Sequence, residues 1–150
     1  MKKSLSLMVA LLVLSGSLSL FGQAGATAEK LTPTGSYVVY AQSPQAFRFS
    51  YDPKTMGNAS VTGHFSVTKG TPNNIEVMVW SEDAYMKWRT GDDAAKAAAK
   101  PLYTSGRKTE GDVSVKLTDG GFYYLTLSNS FQYDGMKSVT ADIKFQYDKK

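Results

Sequence analysis

The fold is decided by the stretch Val139-Thr140-Ala141-Asp142-Ile143-Lys144-Phe145-Gln146-Tyr147, in which apolar and polar residues alternate without a break. A β-strand repeats every two residues, so one of its faces would carry all the apolar side chains and the other all the polar ones. A shift of one residue would turn the whole apolar set to water. The stretch therefore predicts a strand with one buried face and one solvated face, as in an antiparallel sheet.

The same alternation recurs in shorter runs from Gly35 onward, with turn-forming residues between the runs. Asp119-Gly120 separates two of these runs and predicts a hairpin, because both residues can take a positive φ. Many short strands with regular turn signals predict an all-β fold, an antiparallel, jelly-roll-like β-sandwich of about eight strands. The runs before residue 139 are Tyr37–Ala41, Phe47–Tyr51, Val61–Thr68, Ile75–Trp80, Leu102–Thr104, Val113–Leu117 and Phe122–Leu127.

The apolar phases of these runs supply the predicted core. Burial of each large apolar side chain contributes roughly 1.5–3 kcal/mol. The chain has no cysteine, so this core must stabilise the domain without a disulfide. The predicted core residues are Phe47, Phe49, Val61, Phe65, Val67, Ile75, Val77, Val79, Val113, Val115, Leu117, Leu125, Leu127, Val139, Ile143 and Phe145.

The two-residue period stops after Trp80, and a helical insertion is predicted near residues 81–100. Ser81 and Asp92 are suited to accept hydrogen bonds from the free amides at the start of two short helical pieces. Gly91 ends the first piece, and Pro101 stops the second. Helices this short are marginal in isolation, so they are expected to pack against a sheet.

The first 28 residues have the three parts of an export signal. Lys2 and Lys3 give a positive start, residues 5–20 are uncharged and mostly apolar, and Ala26-Thr27-Ala28 has the small-x-small form that a signal peptidase cleaves. Cleavage is predicted before Glu29. Residues 29–150 would then form one domain with no membrane span, located in the bacterial periplasm or outside the cell.

The composition of the predicted domain excludes several kinds of site. Without Lys2 and Lys3, 15 of the 17 basic residues remain against 13 acidic ones, and no basic cluster indicates nucleic-acid binding. There is no glycine-rich phosphate loop between a strand and a helix, so no cofactor is predicted. Acidic residues crowd the insertion, but helix capping explains them and no metal is predicted; they are Glu82, Asp83, Asp92 and Asp93.

His64 is the single histidine of the chain. It falls on the polar phase of its run, beside Thr62 and Ser66, so it is predicted to face solvent. Any hydrolase mechanism at neutral pH would need it as the base. No catalytic residue is predicted.

Aromatic residues give the candidate binding surface. Met78 and Trp80 fall out of phase with the core residues of their run. Either Tyr85 and Trp88 of the insertion cover them, or they form an exposed patch, which would mark a binding surface. Tyr123 and Tyr124 are adjacent, so one of the two is expected at the surface. The candidate binding residues are Met78, Trp80, Tyr85, Trp88 and Tyr123.

A further pattern links two glycines to the last strands of the chain. Gly120-Gly121-Phe122-Tyr123-Tyr124-Leu125-Thr126-Leu127-Ser128-Asn129, followed by Lys137-Ser138-Val139, resembles the end of the GOLD domain of emp24/p24-type cargo receptors. The resemblance covers most of residues 35–147. It implies a β-sandwich that binds proteins or lipids, and it supplies no catalytic residues. The disulfide, coiled coil and membrane anchor of those receptors have no counterpart here.

Three functions follow as hypotheses. The first is a non-enzymatic, exported binding module that contacts a protein partner through a sheet face or through the insertion. The second is a carbohydrate-binding module that stacks sugar rings on exposed aromatic side chains. The third is a hydrolase, which would depend on His64. The predicted partner is a protein, with a glycan or a lipid as alternatives.

Overall fold

The computed structural model describes residues 27–150, which form eight strands and two short helices. The predicted signal segment lies outside this range except for Thr27 and Ala28, so cleavage before Glu29 stays a prediction. The elements are β1 Thr27–Tyr40, β2 Gln45–Tyr51, β3 Met56–Lys69, β4 Ile75–Ser81, α1 Glu82–Thr90, α2 Asp93–Ala98, β5 Tyr103–Lys108, β6 Glu110–Lys116, β7 Gly121–Ser128 and β8 Met136–Lys149.

The strands pair as if one long hairpin had been folded over on itself. β1 pairs with β8, β2 with β7, β3 with β6 and β4 with β5, all antiparallel. Pairing of β3 with β8 and of β4 with β7 completes two four-stranded sheets: sheet I, in the order β1-β8-β3-β6, and sheet II, in the order β2-β7-β4-β5. The predicted all-β antiparallel sandwich is confirmed, and its strand order is that of a jelly roll.

The hairpin predicted at Asp119-Gly120 is wrong. β6 lies in sheet I and β7 in sheet II, so this connection crosses between the sheets instead of joining paired strands. A Cβ at Gly120 would lie 2.7 Å from Cδ of Pro53, and the positive φ of 145° occurs at Gly121. The glycines therefore serve close packing and a change of sheet, which local sequence does not distinguish from a hairpin turn.

The core lies between the two sheets and matches the predicted set. All the predicted core residues are buried there except Phe47 and Val115, which are partly buried and pack against the others. Phe49 lies between two rings, with centroids 4.9 Å from Phe145 and 5.7 Å from Tyr123. The alternation therefore identified the inward face of each sheet.

The first strand begins ten residues earlier than predicted, at Thr27 instead of Tyr37. Its early part lacks the two-residue period, and its register with β8 shifts between Leu31 and Thr34. Backbone hydrogen bonds to β8 stabilise a strand irrespective of the side-chain pattern, so periodicity missed this part.

The two helices form the predicted insertion at the tip of the folded hairpin, between β4 and β5. Ser81 Oγ accepts a hydrogen bond from Ala84 N–H at 3.4 Å, and Asp92 Oδ1 accepts one from Ala95 N–H at 2.8 Å. Both predicted caps are confirmed. α2 ends two residues before Lys100, since a residue that precedes proline is disfavoured in helical conformation.

Candidate ligand-binding cleft at the helical insertion

α1 covers the outer face of sheet II. Met78 and Trp80 point away from the core and are buried under Tyr85, with exposed fractions of 4%, 2% and 9%. Trp80 Nε1 donates a hydrogen bond to Thr126 Oγ1 at 3.1 Å. The structure therefore shows the covered alternative, and Met78 and Trp80 do not form an exposed patch.

Stacked rings hold the helix on the sheet. The ring centroids of Tyr85 and Tyr124 are 3.9 Å apart, with planes inclined by 11°. Those of Trp80 and Trp88 are 5.0 Å apart, inclined by 25°. Tyr123 and Tyr124 point to opposite faces, as predicted: Tyr123 faces the core, and Tyr124 lies on the outer face of sheet II, where α1 partly covers it.

Of the candidate binding residues, Trp88 is the one that is not fully buried. Its indole is half-buried, whereas Met78, Trp80, Tyr85 and Tyr123 are all less than a tenth exposed. Tyr123 donates a hydrogen bond from its hydroxyl to the Asp119 carbonyl. A partner could therefore reach Trp88 without unfolding the insertion, but could not reach the other four.

Trp88 lines a cleft of about 330 Å³, where the insertion meets two loops of the sandwich. Trp88 and Arg89 come from the last turn of α1 and Lys96 from α2. The β1–β2 connection adds Gln42 and Pro44, and Ser130 follows β7. We call this the Trp88 cleft; its lining is Gln42, Pro44, Trp88, Arg89, Lys96 and Ser130.

The Trp88 cleft carries positive charge that the described part of the chain does not neutralise. Its lining includes Arg89 and Lys96 but no carboxylate. Neither cation makes an ion pair within residues 27–150. By contrast, Lys87 of the same helix lies 2.6 Å from Asp83. The charges at the cleft are thus available to an anionic ligand.

A second cleft, of about 390 Å³, lies at the opposite end of α1 and differs in its charges. Its lining includes Glu82, Asp83 and Phe122. Arg48 binds Glu82 at 3.0 Å and lies 3.6 Å above the Phe122 ring. Lys87 binds Asp83. Lys116 and Asp119 also line this cleft, so charges of both signs meet there, whereas the charged residues of the Trp88 cleft are both cations.

His64 faces solvent on the outer side of sheet I, as predicted. Its Nδ1 lies 2.8 Å from Oδ1 of Asp112, and the two side chains are 54% and 86% exposed. Among the described residues no hydroxyl forms a hydrogen bond with the imidazole. The pair therefore lacks, among the described residues, the hydrogen-bonded hydroxyl that would complete a nucleophilic site.

The acidic residues of the insertion act within the fold. Asp92 caps α2, while Glu82 and Asp83 pair with cations. Within residues 27–150, no three histidine or carboxylate side chains are grouped so that they could hold a metal ion. Neither α1 nor α2, the helices of this range, has the length and apolar character to cross a membrane.

Two polar side chains that the periodicity did not single out are fully buried beside the β7–β8 connection. Asn129 follows β7 on its inward phase, and its amide nitrogen and oxygen have no hydrogen-bond partner in the described part of the chain. Lys137 lies on the inward phase of β8 and donates hydrogen bonds to the Pro72 carbonyl and, at 3.3 Å, to Asn74 Oδ1. A charged residue in an apolar phase was the signal that could have identified Lys137.

Replacing Lys137 by methionine should change how stability depends on pH. Burial lowers the pKa of the Lys137 ammonium below its ordinary value. Between that lowered pKa and the unfolded-state value of about 10.4, the unfolded chain binds more protons than the folded one. The wild type should therefore gain stability as pH rises through this window. The Lys137→Met variant should lack this gain.

Urea unfolding of both proteins between pH 7 and 10.5 measures the difference. The raised pKa values of Tyr103 and Tyr123, caused chiefly by burial, are common to both proteins and cancel. The free energy of unfolding of the wild type, relative to that of the Lys137→Met variant, should increase as pH rises. Two parallel curves would show that Lys137 does not titrate abnormally.

Comparisons with protein-family models and with curated proteins find no match for this chain. The resemblance to the GOLD domain therefore stays a prediction.

Proposed function

We propose that the chain is a non-enzymatic binding module, exported from the cytoplasm, which contacts a protein partner through the Trp88 cleft. The predicted export signal of residues 1–28 supports an extracytoplasmic location. A GOLD-like relationship would fit the same role, because the sandwich would serve as a rigid support for a binding surface.

The observation that carries the proposal is the position of Trp88. One face of its indole stacks on Trp80, which fixes the ring, while the remainder lines a cleft with two unpaired cations. Tryptophan and arginine are the residue types most enriched among those that dominate binding energy at protein interfaces. A ring that is already ordered loses little conformational entropy when a partner binds.

Trp88→Ala should abolish specific capture of a protein from an envelope extract by the immobilised wild-type chain. The loss of a central tryptophan contact costs about 2 kcal/mol or more, which corresponds to a loss of affinity of about 30-fold or more. The measurement is affinity capture, identification of the protein retained, and titration of that purified protein against each variant.

Met86→Ala is the matched control. Met86 lies on the same helix and is 47% exposed, but it does not line the Trp88 cleft. The Met86→Ala variant should capture the same protein as the wild type. Equal capture by the folded Trp88→Ala variant would rule out the Trp88 cleft as the contact surface.

Carbohydrate binding is the second candidate, favoured by the half-buried indole beside Gln42 and Ser130. The chain has two tryptophans, so a Trp80→Phe variant would leave Trp88 as the single indole reporter. Titration with neutral polysaccharides should change its fluorescence if sugar rings stack there. A constant spectrum across the panel would remove this candidate.

A further inference from the structure

The lining of the Trp88 cleft points to one class of occupant. We infer that the cleft receives an acidic segment of the partner protein, in which carboxylates bind Arg89 and Lys96 and an apolar side chain packs between Trp88 and Pro44. This inference rests on the proposed function and specifies the ligand chemistry of the same site.

The fold brings the two cations to one cleft through the close approach of α1 and α2. A Cβ at Gly91 would lie 2.4 Å from the Lys87 carbonyl oxygen and 2.7 Å from Cβ of Ala95. A larger residue there would push the helices apart. Glycine at this position thus allows Arg89, in the last turn of α1, and Lys96, on α2, to line the same cleft.

The hydrogen-bonding capacity of the lining favours a carboxylate over a neutral sugar. Arginine and lysine side chains only donate hydrogen bonds. Sugar hydroxyls both donate and accept hydrogen bonds, and the side-chain acceptors of the lining are limited to Gln42 and Ser130. Carboxylates only accept, so they match the two cations, and charge-assisted hydrogen bonds of this kind are about twice as strong as neutral ones.

The remaining lining groups suit a peptide backbone and one apolar side chain. Gln42 and Ser130 can each donate and accept, which matches a peptide N–H and C=O. Trp88 and Pro44 supply the apolar part of the cleft. An acidic peptide with one apolar residue therefore satisfies each part of the lining.

Two five-residue peptides test the inference. In the first, a central leucine is flanked on each side by two acidic residues; in the second, the corresponding amides replace the carboxylates. Fluorescence of Trp88 in the Trp80→Phe background reports binding. The acidic peptide should bind about ten-fold more tightly or better than the amide peptide. Its affinity should fall as salt is raised from about 0.05 to about 0.5 M, because screening lengths shorten.

Charge-reversal variants test whether binding of the acidic peptide depends on Arg89 and Lys96. Arg89→Glu/Lys96→Glu should weaken binding of the acidic peptide by about ten-fold or more. Lys54→Glu/Lys100→Glu changes the net charge equally at exposed lysines outside the cleft and should change the affinity by less than about two-fold. Circular dichroism confirms that each variant is folded.

The outcomes separate this inference from the proposed function. The inference of an acidic ligand would be overturned if the two peptides bound equally, or if the two double variants had equal effects. In either case, a loss of protein capture by Trp88→Ala would still support a binding module. Tighter binding of oligogalacturonate than of the acidic peptide, lost on Arg89→Glu/Lys96→Glu, would overturn the peptide assignment in favour of an acidic glycan.

Discussion

Replacing Gly63 by alanine is expected to lower the free energy of unfolding by about 2–6 kcal/mol, as the sum of backbone strain and overpacking. Gly63 lies in the middle of β3, between β6 and β8, and has a φ of 150°. A Cβ there would lie 2.1 Å from the Asp142 carbonyl oxygen and 2.5 Å from Cα of Ile143. Both contacts are with the backbone of β8, which cannot move aside without breaking its ladder.

Gly35→Ala is the matched control for this prediction. Gly35 has a φ of 128°, and nothing lies within 4 Å of a Cβ built on it. This variant should show the strain alone, about 1–3 kcal/mol. Urea unfolding gives the loss of unfolding free energy for each variant. The difference between the two losses is the part that comes from the close approach of β3 to β8. Equal losses at the two positions would contradict that close approach.

Trp80→Ala is expected to destabilise the protein by about 3–5 kcal/mol, the usual loss for a buried tryptophan or phenylalanine. The ring is 2% exposed and stacks on Trp88, and its N–H bonds Thr126. Its removal leaves a cavity under α1 and an unpaired hydroxyl at Thr126. Because this cluster lies outside the main core, amide hydrogen exchange in α1 should accelerate more than in β8.

Two substitutions test the origin of this effect. Trp80→Phe keeps a ring but loses the hydrogen bond, so it should cost less, about 1–3 kcal/mol. Thr126→Val removes the acceptor and leaves the indole N–H unpaired, with a cost in the same range. If Trp80→Ala unfolded no more easily than a surface variant such as Met86→Ala, α1 would not be held as the structure shows.

Residue patterns in the sequence predicted only part of the candidate site. The break in the two-residue period after Trp80 and the caps Ser81 and Asp92 located the insertion correctly. One of the two predicted alternatives, that Tyr85 and Trp88 cover Met78 and Trp80, is confirmed. The sequence did not separate the accessible Trp88 from the buried Trp80, because it does not show which ring lies on top. Arg89, Lys96, Gln42, Pro44 and Ser130 were missed, since they come from three separate connections that only folding brings to one cleft.

The sequence by itself determined the inward face of most strands and the starts of the two helices. These properties depend on the two-residue period and on capping side chains, which act over a few neighbouring residues. The tertiary structure alone decided that Asp119-Gly120 joins two different sheets, that β1 extends back to Thr27, and that Trp88 remains accessible. Those outcomes depend on backbone pairing and packing between distant segments, for which no local pattern is required.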